Sequence, residues 1–368
     1  MGRGHDVRIA KICANPDRVH VRFQLECRLP RVGRPRRNSP VAVKVAFDSR
    51  PKQEHRGIGR YARCLLEALH GHAQPGELVE THDPRRCDVF HAPWIDGAML
   101  RCPVPMVVTV HDVVELKRRG EYLRAGLRLK LRYLAVQRAT RVIVPTNAVA
   151  EDVVRELGIQ RKRVVTIPEA AAPALHLRSE AEVEAVRERF GLPDRYLLWV
   201  GGLRVPDPRK RVAALARATR TMPLVLVGQA GPWARELPDV LLTGSVSDDE
   251  LAAIYSGAHA LVFPSDDEGF GLPPVEALAC GTPVAACDVP AMREVLEGHA
   301  ILGSVEDMDG LVAAAEGARR PAPAPLSWTW NDAAAATWEV YAEAATEPDG
   351  WRSPRGRSPA LSGARSSA

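Results

Sequence analysis

The sequence has little aromatic character, no ordered cysteine pattern and no long apolar run. Only 5% of its 368 residues are Phe, Trp or Tyr, so any core has to be built from Ala, Val and Leu. The seven cysteines (Cys13, Cys27, Cys64, Cys87, Cys102, Cys280 and Cys287) are odd in number, irregular in spacing and without a C-x-x-C pair. That argues against a disulfide framework and a zinc site and fits a reducing compartment. No segment approaches the roughly 18–20 apolar residues of a membrane span, and the basic N-terminus lacks the apolar stretch of a secretory signal. The expected location is cytoplasmic, with any membrane contact peripheral and at the inner face.

What the chain does have is a globular balance, 46% apolar and 26% charged, with length enough for two domains. Its formal charge of +5 is uneven. Residues 1–40 hold ten Lys/Arg against three Asp/Glu, which is +7 and leaves −2 for the remainder. A nucleic-acid-binding body is therefore not indicated. Residues 1–40 read as a basic, disordered extension, with 21–29 as an alternative short strand, and residues 347–368 as a disordered Ser/Pro/Gly/Arg tail.

Between these ends, strands and helices alternate. Strands are expected at 41–47, 88–91, 106–110, 141–144 and 164–167, with helices at 57–69, 123–138 and 148–157. The pattern restarts with a helix at 181–190. Strands at 196–200, 224–227, 240–242, 260–263 and 283–286 follow, with helices at 211–218, 248–256, 274–280 and 307–316. Short continuous apolar strands separated by helices predict parallel sheets covered on both faces. Two such runs predict an α/β protein of two Rossmann-like doubly wound domains, 41–180 and 190–325, facing a central cleft. A last helix at 331–346 carries Trp338 and Tyr341, read as packing residues.

The chemistry concentrates in Ser265-Asp-Asp-Glu268-Gly-Phe-Gly-Leu-Pro-Pro-Val-Glu276. This segment follows an apolar strand, turns at Gly269–Gly271 and enters a helix whose first turn tolerates Pro273 and Pro274. The C-terminal end of a parallel strand is where open α/β sheets bind ligands. A helix N-terminus offers free N–H groups to a phosphate, and Glu268 and Glu276 offer acceptors to the vicinal hydroxyls of a sugar and a ribose.

In this Gly/Pro frame the two glutamates resemble the Glu-x7-Glu motif of the retaining GT-B glycosyltransferases of family 4. The resemblance extends through Tyr196-Leu-Leu-Trp-Val-Gly-Gly, Asp207-Pro-Arg-Lys210, Leu224-Val-Leu-Val-Gly228 and Thr243-Gly-Ser-Val246. In the first half it takes in Gly57-Ile-Gly59-Arg60-Tyr61, Val110-His111-Asp112 and Pro145-Thr146-Asn147. It implies a hexosyltransferase that takes mannose or glucose from a nucleotide-diphosphate sugar, GDP-mannose or UDP-glucose first, with retention and no obligatory metal or cofactor. It also implies a glycan or lipid-linked acceptor, a role in cell-envelope glycan or glycolipid synthesis, and peripheral membrane contact. Domain 41–180 would bind acceptor and 190–325 the donor, with the last helix returning to the first domain.

By the same resemblance, Glu268 and the backbone of Gly269, Phe270, Gly271 and Leu272 hold the donor sugar, and Glu276 holds the ribose. Arg209 and Lys210, with Arg204, neutralise the pyrophosphate. The backbone near Val246 meets the base, Gly57 and Gly59 face donor phosphate or acceptor, and His111 faces the reacting sugar. Two departures stand out. Gly202 occupies a position where many relatives carry Arg, and Ile167-Pro-Glu169-Ala replaces the usual Val-Pro-Asn-Gly.

Rival readings remain open at this level. Gly57-Ile-Gly59-Arg60-Tyr61-Ala62 also fits the dinucleotide fingerprint G-x-G-x-x-A, which would make the chain an NAD(P)-dependent oxidoreductase. Against it, roughly ten residues separate the strand from Gly57, where the fingerprint needs a tight turn. A non-catalytic sugar-nucleotide-binding partner subunit would share most binding residues. An epimerase or phosphorylase would share the architecture.

Overall fold

The computed structural model describes residues 43–54, 57–117 and 126–347. The expectations for the basic arm, the strand at 21–29 and the C-terminal tail fall outside them.

Twelve strands lie in the described residues, in two six-stranded sheets whose pairings between strands are all parallel. The first sheet contains β1 (Val45–Phe47), β2 (Leu78–Glu80), β3 (Val89–Ala92), β4 (Met106–Thr109), β5 (Arg141–Val144) and β6 (Val164–Thr166), ordered 2-1-3-4-5-6. The second contains β7 (Leu197–Val200), β8 (Leu224–Val227), β9 (Val240–Gly244), β10 (Ala260–Phe263), β11 (Val284–Cys287) and β12 (Ile301–Gly303), ordered 12-11-10-7-8-9. In each sheet the winding reverses once, between β1 and β3 and between β7 and β10. At such a reversal the flanking connections leave on opposite faces and open a crevice beyond the strand ends.

Both faces of the first sheet are covered, so its central strands are mostly apolar, with successive side chains in different cores. Val45, Phe47, Val89, Val107 and Ile143 face α1 (Gly57–His72), packing against Tyr61, Leu65, Leu66 and Leu69. Ala46, Phe90, Met106, Val108, Val142 and Val144 face the opposite side, against Tyr133 of α3 (Leu127–Val136) and Val149 and Val153 of α4 (Asn147–Leu157). A short helix, α2 (Val114–Lys117), precedes α3. The second sheet encloses the largest core, centred on Tyr196, Trp199, Tyr255 and Phe263.

Helix ends are set by local chemistry. Thr146 caps α4 by accepting from the Val149 amide, and Gly158 closes it in the left-handed conformation at φ 64°. Ser179 with Glu182, and Ser247 with Glu250, form reciprocal capping boxes at α5 (Glu180–Phe190) and α8 (Asp248–Gly257). Between them stand α6 (Val212–Arg217) and α7 (Pro232–Arg235). After α8 come α9 (Leu272–Ala279), α10 (Pro290–Leu296), α11 (Met308–Glu316) and α12 (Trp330–Thr346).

The last helix, α12, lies on the first sheet's core: Trp330 and Tyr341 are buried beside α1, the Trp338 indole donates to the Leu69 carbonyl at 3.3 Å, and the Tyr341 hydroxyl is 2.6 Å from His91 Nδ1. The chain thus ends its described course on the domain where it began. Among the described residues, no helix is long and apolar enough to cross a membrane.

Candidate active site

Strands β7 and β10 flank the crevice of the second sheet, and their following loops supply the acidic and basic groups singled out in the sequence. After β10 the chain runs through a loop to Gly271, which caps α9 at φ 85°. A side chain is excluded there twice, by the backbone angle and by Met292, whose Cε would lie 2.6 Å from an added Cβ. The helix begins at Leu272, two residues before the position expected from Pro274, because Pro273 also fits a first turn where no amide partner is needed. The side chains of Phe270 and Leu272 are buried in the core, so only their backbone faces a ligand.

Glu268 is the loop carboxylate. Its Oε1 lies 3.7 Å from Lys210 Nζ. Burial pushes its pKa up, against the opposing pull of Lys210, the nearby Ser265 hydroxyl and Arg209. Lys210 ends the 3-10 turn Pro208–Lys210, which Asp207 caps by accepting the Arg209 amide. Arg209 itself is engaged: Nε and Nη2 bind the Asp207 carboxylate at 3.1 and 2.9 Å, and Nη1 lies 3.5 Å from Asp112 of the first domain. Arg204 is exposed on the loop after β7, and Gly202 stands in open space, where an added Cβ would meet nothing. Val246 is half-buried against the second core.

Glu276 is 3% exposed. Its Oε2 accepts from the Tyr255 hydroxyl at 3.1 Å, and its Oε1 lies 3.2 Å from Arg60 Nε. Arg60 comes from α1 of the first domain and also donates from Nη2 to Asp248 Oδ1 at 2.7 Å. Burial pushes the pKa of Glu276 up, opposed by Arg60 and Tyr255. Glu276 is thus held in place by an arginine that the sequence placed in a motif without giving it a role.

Above these groups the first domain closes directly. Gly269 touches the His111 carbonyl so closely that an added Cβ would fall 1.8 Å from its oxygen, and the Thr146 hydroxyl donates to the Gly269 carbonyl at 2.9 Å. Gly57 faces Leu272, whose Cδ1 an added Cβ would meet at 3.9 Å, whereas Gly59 backs onto the Glu54 carbonyl, 1.8 Å from where a Cβ would stand. Gly59 therefore shapes the chain before α1 and does not bring backbone to a dinucleotide. A 3-10 turn, Arg50–Gln53, also intervenes between β1 and α1, so the tight strand–helix turn of the dinucleotide fingerprint is absent.

Two further contacts join the domains. Glu294 of α10 accepts from the amides of Asn147 and Ala148 at 2.8 and 3.0 Å and from the Asn147 side chain at 3.0 Å, at the N-terminus of α4. A carboxylate suits that end of a helix. Lys117 reaches Asp267 at 2.9 Å. Neither was visible from the sequence, since no local pattern marks a partner in the other domain.

His111 follows β4 and has both ring nitrogens engaged, Nδ1 with Glu169 Oε1 at 2.9 Å and Nε2 with the Pro93 carbonyl at 3.0 Å. Tyr61 packs edge-on against the ring, with centroids 4.5 Å apart. Nearby, Asp48 is fully buried at the end of β1, where Arg50 grips it at 2.7 Å through both Nε and Nη2 and the Trp94 indole approaches at 3.3 Å. Burial pushes the Asp48 carboxyl up, but these partners hold it below its ordinary value.

The comparisons agree with this geometry. A family model described as glycosyl transferases group 1 matches residues 194–318, and one described as glycosyltransferase family 4 matches residues 1–175. The chain is 30% identical over 313 residues to a D-inositol 3-phosphate glycosyltransferase of Thermobispora bispora, covering 72% of each protein. It is 27% identical over 221 residues to the serotype-specific mannosyltransferase WbdA of Escherichia coli, which is 53% of this chain and 26% of that one. Among solved structures, Anabaena HepE in complex with UDP-glucose superposes with a TM-score of 0.58 at 16% identity, over 82% of this chain and 95% of that one. The two crevice-bearing parallel sheets are a GT-B fold, and the chain belongs to the family 4, group 1 glycosyltransferases.

Proposed function

We propose that this glycosyltransferase moves a mannose- or glucose-type hexose from a nucleotide-diphosphate sugar onto a glycan or lipid-linked acceptor with retention, in cell-envelope glycan or glycolipid synthesis. The observation that carries this reading is the convergence of Glu268, Lys210 and Glu276 at the β7/β10 crevice beneath His111 of the facing domain. Glu276 takes the ribose hydroxyls, displacing or sharing Arg60. Glu268 and the Gly269–Leu272 backbone take the sugar. Lys210, with Arg209, balances the charge that develops on the departing diphosphate. The closed cleft excludes water and favours a bound acceptor over hydrolysis. The relatives support the sugar class: one bears a mannosyltransferase name, and the HepE structure holds UDP-glucose.

Thermal unfolding against UDP, GDP, UDP-glucose, GDP-mannose and NAD(P) tests the donor class. A ligand at 100 times its Kd stabilises by about 2.7 kcal/mol, a shift of several degrees in Tm. The expected result is a shift with nucleotides of one base only. A shift with NAD(P) alone, or with none of the panel, contradicts the reading.

Exposed leucines on α3 support the reading of a peripheral membrane contact. On α3, Leu127, Leu131 and Leu134 are 71%, 40% and 41% exposed. Their spacing places them on one face of the helix, and Arg128 and Lys130 are exposed on the same short element. Arg132 ties the helix to Asp96 at 2.6 Å, beside the loop that carries Trp94. In our reading this face lies on an anionic lipid surface, its leucines in the headgroup boundary and its cations on the phosphates. Co-sedimentation with phosphatidylglycerol-containing vesicles should fall at least about tenfold in the Leu131→Asp/Leu134→Asp double variant, since burying one leucine is worth roughly 1.5–3 kcal/mol. Equal partitioning of variant and wild type would rule this face out.

A further inference from the structure

Glu169 stands in the crossover between the two sheets, in the tetrapeptide Ile167-Pro-Glu169-Ala that departs from the pattern of the family. It is 5% exposed. Its Oε1 meets His111 Nδ1 at 2.9 Å, while His111 Nε2 meets the Pro93 carbonyl oxygen at 3.0 Å. A carboxylate and a carbonyl are both acceptors. A neutral imidazole carries one N–H and can satisfy only one of them, whereas the imidazolium donates to both.

The remaining surroundings favour the charged ring. Asp112 adjoins it in sequence and lies 3.5 Å from Arg209 of the facing domain. Tyr61 of α1 presents a ring edge, and its buried hydroxyl bonds Thr109 at 3.0 Å, away from His111. Behind Thr109, the buried His91 is pushed down to about 3 by burial and by the His111 charge, so it is neutral and does not compete. Burial of His111 opposes protonation, but Glu169, the Pro93 carbonyl and Asp112 outweigh it and hold its pKa above the ordinary histidine value.

We infer that Glu169 is a positioning residue that holds His111 as a doubly donating imidazolium, so that the histidine meets the substrate as a cationic hydrogen-bond donor and not as a general base. On substrate binding, Nε2–H exchanges the Pro93 carbonyl for an oxygen of the bound sugar, and Nδ1–H stays on Glu169. The inference rests on the transferase reading for its substrate, but the state of the ring does not.

The test has two arms. In the ligand-free, 15N-histidine-labelled protein, with the His111 signal assigned through His111→Gln, the ring should stay imidazolium to a higher pH than an ordinary histidine in the wild type. In Glu169→Gln it should titrate at least tenfold lower in pH-dependent proton affinity. Identical titration in the two proteins, or a wild-type ring that loses its proton at or below the pH at which an ordinary histidine does, overturns the inference whatever the enzyme transfers. In the second arm, kcat and KM are followed from pH 6 to 8 with the donor identified by thermal shift. Glu169→Gln should lose at least tenfold more kcat/KM across that range than the wild type, with Glu169→Asp restoring part of the wild-type profile. A loss equal at every pH would make Glu169 a packing residue only. Absence of any donor would sink the transferase reading while leaving the first arm standing.

Discussion

Lys210→Ala is expected to slow sugar transfer by about 10²–10³ in kcat, with donor affinity much less changed, because a group that meets charge formed only in the transition state acts on kcat. The geometry singles out this cation. Arg209 is held at both Nε and Nη2 by Asp207 and also approaches Asp112, so moving it to a diphosphate means breaking a bidentate pair. Among the described residues Lys210 has one loose ion pair, 3.7 Å from Glu268, and four flexible methylenes. Gly202 offers no side chain at the position where the resemblance led to the expectation of an arginine. The change should leave stability within about 1 kcal/mol, the ordinary worth of a partly exposed ion pair, so thermal unfolding separates a catalytic loss from a folding loss. Single-turnover rates at saturating donor decide the matter: an unchanged rate would make Lys210 a solvated side chain, and Lys210→Arg should retain more activity than Lys210→Ala.

The central strands were legible because they are uniform. Apart from Arg141, the stretches 141–144, 224–227 and 260–263 are apolar runs, and the structure forms β5, β8 and β10 there. The strands that escaped were β2 and β12, both three-residue edge strands with partly exposed side chains, which leave too little pattern to read. Helix α10 escaped because Val289 stands at its N-cap without a polar side chain. The acidic segment of the site was legible because its parts lie on one strand–turn–helix unit. What faces it was not. Arg60 meets Glu276, Thr146 meets Gly269 and Glu169 meets His111 only through tertiary folding, and Glu169 stood in the sequence as a departure without a purpose.

Loss of the Glu276 carboxylate should weaken nucleotide binding by about 10–100-fold, the worth of one or two charge-assisted hydrogen bonds. The carboxylate is also structural. It accepts from the buried Tyr255 hydroxyl and faces Arg60, so Glu276→Ala leaves both short of a partner, at a cost to stability of about 3–5 kcal/mol for a broken buried pair. Glu276→Gln keeps an acceptor for Tyr255 and removes the charge, so it separates ribose recognition from folding. Arg60→Ala acts in the opposite sense. It frees Glu276 from a competing cation, and a folded variant should bind nucleotide no more weakly than the wild type if the ribose displaces Arg60.

The most direct test of a nucleotide-sugar site at the β7/β10 crevice is calorimetric titration of UDP and GDP into the wild type and into Glu276→Gln, each shown to be folded. Binding of one nucleotide by the wild type, weakened at least tenfold in Glu276→Gln, is the predicted result. Equal affinity in the two proteins would contradict the placement of the donor, and binding of neither nucleotide would contradict its chemistry.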